Sequence, residues 1–358
     1  MSEKKKPVRT IVDASDLVIK YPPKEVTMGQ FLEAEKLRQA AFKGSSPYFS
    51  DAARADGPYR GRPRPFCLPR ECAEENLFHE IRTPALTYFA QQEIKWHDGQ
   101  DGKPSNHLCD SQVCCVNFLF PFADRPHALT ELLRPVFPAI RRVLPMERKV
   151  PDQSVSFEWI GKENYLGEKT RGRKRTRGAN CTSADAAVMF EHEDGKRQIA
   201  LIEWKYTESY GDTWLKFASS GTDRTKIYAP LYNRDDCPLS KSLLRDFSDG
   251  DLFYEPFYQL MRQQFLAHEM EKAHELGAKV VSVLHIAPAH NHDFRNVTSR
   301  ALRSLGESAT DVWKRLVRIP SSFASVSTEE LFGCLAVDRV PELAAWWQYV
   351  NQRYSWLR

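Results

Sequence analysis

The stretch IALIEWKY, residues 199–206, constrains this chain more than any other. Ile199, Ala200, Leu201 and Ile202 form a continuous apolar run of the kind a fully buried strand requires. Glu203 and Lys205 follow with only Trp204 between them, and alternate residues of an extended chain share a face. A core strand therefore ends by presenting an acid and a base side by side. Upstream, DAAVMFEHE (residues 185–193) is a second strand candidate, and Glu193-Asp194-Gly195-Lys196 supplies a turn that folds one strand back on the other. Such a hairpin brings Asp185 toward Glu203 and Lys205 at one end of a sheet.

Two carboxylates with a backbone carbonyl between them suit a hard divalent cation such as Mg2+, which takes oxygen ligands and keeps exchangeable waters. A lysine on the same face can hold or help deprotonate an attacking water and neutralise charge on a pentacovalent phosphate. That combination is suited to phosphodiester hydrolysis.

The rest of the chain supplies helices around these strands. Residues 29–43 read as a short amphipathic helix, and residues 73–92 carry Leu77, Ile81, Ala85, Leu86 and Phe89 at helical spacing with Pro84 as a kink or break. Residues 111–120 read as a buried helix. Residues 127–144 have a helical pattern interrupted by Pro135 and Pro138. SVSFEWI (154–160) is a further strand, residues 255–276 form a long helix that stops at Gly277, and residues 278–288 are short and apolar enough for a buried strand. The order predicts an α+β chain, an α/β/α sandwich whose mixed four-stranded sheet is flanked by helices. Residues 1–70 are expected as a loop-rich, partly helical extension, residues 71–300 as the main domain, and residues 301–358 as a helical addition packed on the core.

Composition narrows the class. A chain of 358 residues that is 42% hydrophobic and 27% charged is that of a soluble globular protein, and a net charge of +4 is too modest to argue nucleic-acid binding by itself. The basic start is followed by an alternating pattern rather than an apolar core, and the longest apolar-rich run, residues 113–123, falls far short of the ~20 residues that span a bilayer. The expectation is a cytoplasmic protein with no membrane partner. Eight cysteines without metal-ribbon spacing read as buried free thiols, with an iron–sulfur cluster as the minority alternative.

Asp185 followed by Glu203-Trp204-Lys205 after a hydrophobic strand resembles the signature of the PD-(D/E)XK, or restriction-endonuclease-like, nuclease superfamily. The surrounding RGANCTSADAAVMF and IALIEWKYTESYG are similar to bacterial restriction-endonuclease-like chains. The likeness covers roughly residues 70–290, including the αβββαβ order of that core. It implies Mg2+-dependent DNA cleavage, with Mn2+ as a substitute, Asp185 and Glu203 as metal ligands and Lys205 as the catalytic lysine. Ser183-Ala184 stand where many members carry a proline before the first acid. Many members also use a further glutamate. Glu158 is favoured because FEW repeats the acid-in-a-strand oddity of IEW, with Glu75, Glu80 and Glu131 as alternatives.

Between the first two strands, Lys169, Arg171, Arg173, Lys174, Arg175 and Arg177 place six cations in nine residues. Beside a metal site such a loop would track a DNA backbone; otherwise it is a solvated charge run. DNA is the expected partner, and a homodimer is left open. A catalytically silent DNA-binding module with the same fold is the alternative function.

Overall fold

The apolar runs assigned to strands converge in one sheet of the computed structural model, which describes residues 29–148, 152–168, 172, 174–219 and 221–357. The helices are α1 (Gln30–Ser45), α2 (Arg82–Gln91), α3 (Ser111–Leu119), α4 (Pro126–Leu133), α5 (Thr225–Tyr232), α6 (Lys241–Leu244), α7 (Phe257–Lys272), α8 (Ala309–Leu316), α9 (Thr328–Gly333) and α10 (Ala344–Arg353). The strands are β1 (Gly57–Tyr59), β2 (Arg62–Arg64), β3 (Ile140–Leu144), β4 (Val155–Trp159), β5 (Ala184–His192), β6 (Arg197–Trp204), β7 (Val280–Ala287) and β8 (Phe323–Ser327).

β1 and β2 make a separate small hairpin. The main sheet runs β3-β5-β6-β7-β8, with β4 also pairing β5. β3, β4 and β6 lie antiparallel to β5, whereas β7 is parallel to β6 and β8 to β7. The β5–β6 turn forms as its sequence dictates: Gly195 takes φ +80, which a residue with a Cβ disfavours, and His192 N–H donates to Lys196 O at 2.8 Å.

The sheet is mixed, as expected, but among the described residues it has six strands rather than four. The two additions lie in segments with a helical pattern. Pro135 and Pro138 end that pattern after α4, and Ile140 and Val143 are buried in β3 while Arg141 and Arg142 point out to Glu191. β8 is a short outer strand, too brief to stand out from its helical surroundings. Pro84, read as a kink or break, lies in the first turn of α2, where its missing N–H leaves no helical bond unmade.

Alternation along the strands divides the core in two. Ala186, Val188 and Phe190 of β5 with Ala200, Ile202 and Trp204 of β6 face one layer, built on α1, α2, α3, α4, α9 and α10. Ala187, Met189, Ile199, Leu201, Val281 and Val283 face the other, built on α5, α6, α7 and α8. All eight cysteines are free thiols and six are buried. Among the described residues no helix is long and apolar enough to cross a membrane.

Candidate active site

Strand register lines up the ionisable residues. β4 and β5 pair Phe157 with Ala186 and Trp159 with Ala184, so Glu158 falls opposite Asp185. β5 and β6 pair Ala186 with Ile202; one residue further, Asp185 falls opposite Glu203. β6 and β7 pair Glu203 with His285, and β7 and β8 pair His285 with Ser325. A transverse row, Glu158, Asp185, Glu203, His285, Ser325, thus crosses five strands. The three acids lie next to one another.

Each acid is held by a different element. Glu158 takes φ +50 and accepts hydrogen bonds from Gln112 Nε2 of α3 and from Ser183 Oγ, both at 2.6 Å. A left-handed glutamate inside a strand is a strained conformation, found where a side chain must be aimed. Asp185 Oδ2 accepts the Trp204 N–H at 2.7 Å, which leaves Oδ1 without a donor among the described residues. Glu203 Oε2 accepts from Gln263 Nε2 at 2.9 Å, and its Oε1 accepts from Lys205 Nζ at 2.5 Å. Gln259 Oε1 takes a second bond from Lys205 Nζ at 2.7 Å. Gln263 Nε2 also donates to Ser183 O at 2.5 Å, so α7 is tied to two strands at the row.

Burial, and then the Glu203 charge, pushes the Asp185 carboxyl well above its ordinary range, against the pull of Lys205. Glu158 is raised by burial, with the Ser183 and Gln112 bonds opposing and Glu203 adding to it. Burial drives Lys205 down, but Glu203, Tyr210, Glu208 and Asp185 outweigh it and hold the ammonium well above its usual value. His285, buried at 2% exposure and in contact with Ser325 Oγ at 3.2 Å, is pushed down to about 3 by burial and by Lys205, so it is neutral. The row holds three crowded carboxyls against one ammonium.

Asp185 and Glu203, with Glu158 beside them, are the oxygen donors that a hard cation such as Mg2+ could draw on here. Among the described residues no three His, Cys, Asp or Glu side chains are gathered closely enough to hold a metal ion as they stand. Lys205 Nζ lies on Glu203 Oε1.

The cations expected to meet DNA divide. Lys169, Arg171 and Arg173 lie outside the described residues. Lys174 is exposed and pairs with the equally exposed Glu93 at 2.5 Å. Arg175 is bound inward, donating to the carbonyls of Ile160, Gly161 and Lys162 at 2.9, 3.1 and 2.9 Å. Arg177 is half-buried and donates to Glu147 Oε1 at 2.7 Å, Tyr88 OH at 2.9 Å, Ser156 Oγ at 2.8 Å and Phe157 O. These two guanidiniums serve the fold. Glu75, Glu80 and Glu131 take no part in the row: Glu75 accepts from Ser50, Glu80 lies beside His79, and Glu131 pairs with Arg134.

Gln259 and Gln263 of α7 meet the acid row, Gln259 through Lys205 and Gln263 through Glu203. Their signal was present, because two glutamines one helical turn apart interrupt the apolar stripe of α7. Gln112 and His285 carried no comparable signal. Beside the row, Tyr210 OH donates to Gln259 Oε1 at 3.4 Å, and beyond Tyr210 an open cleft of about 870 Å³ is bordered by Asp212, Thr298, Arg303 and Arg315.

A family model described as "Restriction Endonuclease associating with ARP" matches residues 32–355, from the first turn of α1 to past the end of α10. No curated protein and no solved structure matches the chain.

Proposed function

The chain belongs to the family of restriction endonucleases associating with ARP, and from that membership and the row of acids we propose that it is a Mg2+-dependent nuclease that hydrolyses DNA phosphodiester bonds. The observation that carries this reading is the alignment of Glu158, Asp185 and Glu203 across three neighbouring strands, with Lys205 on the last acid. The order β4, β5, β6, α7, β7 supports a restriction-endonuclease-like core within the larger sheet. The family's description also names association with ARP, and that partner is carried to this chain on the same terms.

Asp185, Glu203 and the Trp204 carbonyl would hold the ion, with Glu158 orienting its surroundings. When bound, Mg2+ polarises the scissile phosphate and neutralises its charge. Lys205 Nζ is held at the row by Glu203 Oε1 and Gln259 Oε1. Its ammonium orients the attacking water and offsets negative charge that develops on the phosphate. Gln263 keeps the Glu203 carboxylate facing Asp185 by bridging Glu203 and Ser183. Lys95, His97 and Lys174 are exposed, His97 within reach of the Glu158 charge, and would supply cations for the phosphate backbone.

The test is cleavage of linear duplex, supercoiled and single-stranded DNA with Mg2+, Mn2+ or EDTA, run beside Lys205→Ala. Metal-dependent cutting by the native chain, reduced by about a thousandfold in the variant, is the expected result. DNA binding without cutting in any metal would instead make the chain a silent binding module. In calorimetry, Asp185→Ala and Glu203→Ala should each weaken the Mg2+ isotherm; unaltered isotherms would move the metal elsewhere.

A further inference from the structure

The chain leaves β6 past Lys205, crosses Tyr210 and enters a hairpin that carries an unusual surface. Among the described residues the exposed large apolar side chains are Leu37, Trp214, Phe217, Leu243 and Ile319; the two aromatic ones are three residues apart on this hairpin. Trp214 is 47% and Phe217 53% exposed. Their rings meet edge to face, centroids 6.0 Å apart and planes at 89°. Lys216 Nζ lies 5.4 Å from the Trp214 ring and 5.7 Å from that of Phe217. A scattered exposed apolar residue requires no explanation, but an exposed aromatic pair under a cation does.

The hairpin is held in place. Trp214 Nε1 donates to Gly250 O at 3.0 Å, and Leu215 N–H to Phe253 O at 2.7 Å. Arg224 N–H donates to Lys216 O at 2.8 Å, and Arg224 Nη1 to Leu215 O at 2.7 Å. The Arg224 guanidinium lies over Tyr258, the neighbour of Gln259, at 5.3 Å. Trp214 and the hairpin backbone are therefore tied toward the helix that holds Lys205, which lowers the cost of ordering on binding. The cleft past Tyr210, which follows Lys205 in the chain and precedes Trp214, carries Arg303 and Arg315 together with Asp212 and Glu307.

We propose that Trp214 and Phe217, with Lys216 between them, form a stacking platform for an unpaired base of the nucleic-acid substrate, on the strand whose phosphodiester lies at the acid row. This rests on the nuclease reading above. Every base has a π-face, so the platform contributes affinity for single-stranded segments without sequence preference. A lysine beside the rings adds a phosphate contact and a cation–π interaction.

The experiment measures binding of the full chain, in EDTA, to a single-stranded oligonucleotide containing 2-aminopurine and to the matching duplex. Binding of the native chain should quench the single-stranded probe. Trp214→Ala with Phe217→Ala should abolish the quench and weaken single-strand binding by about tenfold or more, while duplex binding changes by less than about twofold. Trp214→Phe keeps a ring and should stay near the native value, which separates loss of stacking from misfolding. Native single-strand affinity and quench in the double variant would overturn the platform, even if Mg2+-dependent cleavage persists. Quenching lost with the rings, in a chain that cuts nothing, would support the platform and remove the nuclease reading alone.

Discussion

Asp185 and Glu203 are facing acids, and the lysine that offsets them lies on only one of the two. Removing one charge from such a pair relieves repulsion, and an Asp185→Asn change keeps a side-chain oxygen to accept the Trp204 N–H. Asp185→Asn should therefore raise the melting temperature by a few degrees in EDTA while abolishing stabilisation by added Mg2+, as read by calorimetric melting. A variant less stable than the native chain in EDTA would show that the pair is not in conflict. His97 makes an opposite kind of contribution at the edge of the site. The Asp110 carboxylate, 3.2 Å away, lifts this exposed imidazole from its ordinary 6.5 to about 9 against partial burial. A folded-state pKa above the unfolded one gives stabilisation that is full below the unfolded value and lost as pH rises through the folded one. The native chain should thus melt higher than His97→Gln at about pH 6, and the gap should close by about pH 10. Solvent exposure screens the pair, so added salt should shrink the gap.

The basic segment between β4 and β5 is two things at once. Its far end is clamped, with Glu168 accepting from Thr182 N–H at 2.7 Å and from Thr182 Oγ1 at 2.6 Å. Arg177 binds β4 and Glu147 from within. Deleting that guanidinium leaves the half-buried Glu147 without its charge partner and strips Phe157 O and Ser156 Oγ of a donor, so Arg177→Ala should cost about 1–3 kcal/mol in denaturant unfolding. The same variant should leave the salt dependence of DNA affinity unchanged, whereas Lys174→Ala should flatten it by about one phosphate contact. A flatter slope for Arg177→Ala would return that residue to the DNA interface. Composition could not separate these roles, because six like charges in a row look alike until the partners of each are known. The strands β4 to β7 and the helix α7 were legible because apolar runs, the Gly195 turn and the 3.6-residue stripe are local signals. β3 and β8 were not, since a five-residue strand inside a helical pattern is decided by its neighbours in the sheet. The site shows the same divide. Glu203 and Lys205 betray themselves by interrupting a buried strand, and Asp185 by starting the one paired with it. Gln112 reaches Glu158 only through the packing of α3, a contact no spacing encodes.

At the scale of the molecule, the two ends of the described chain close over the strand that carries the site. Tyr206, the residue after Lys205, donates its hydroxyl to Glu35 of α1 at 2.6 Å, and the same carboxylate accepts from Trp356 Nε1 at 3.1 Å and from Arg38. Burial raises that glutamate above its ordinary range, against the pull of Arg38 and the bonds from Tyr206 and Trp356. Alongside, the buried Arg353 guanidinium donates to Asn76 O at 2.6 Å, to Asn76 Oδ1, to Gln39 Oε1 at 3.0 Å, to Tyr349 OH at 2.6 Å and to Leu108 O at 3.1 Å. One side chain thus satisfies acceptors from α1, from two central segments and from α10. Buried acceptors stripped of their donor cost ~1–3 kcal/mol each, and several would be orphaned together. Arg353→Met keeps much of the volume and removes the donors, so its loss reports on the polar clasp rather than on a cavity. It should lower stability by about 3 kcal/mol or more. Because Tyr206 is reached from both ends of this clasp, the loss should extend to the site: proteolysis should find the segment after Lys205 sooner, and cleavage should fall in parallel. An Arg353→Met chain as stable and as active as the native one would mean that the ends decorate the sheet without supporting it.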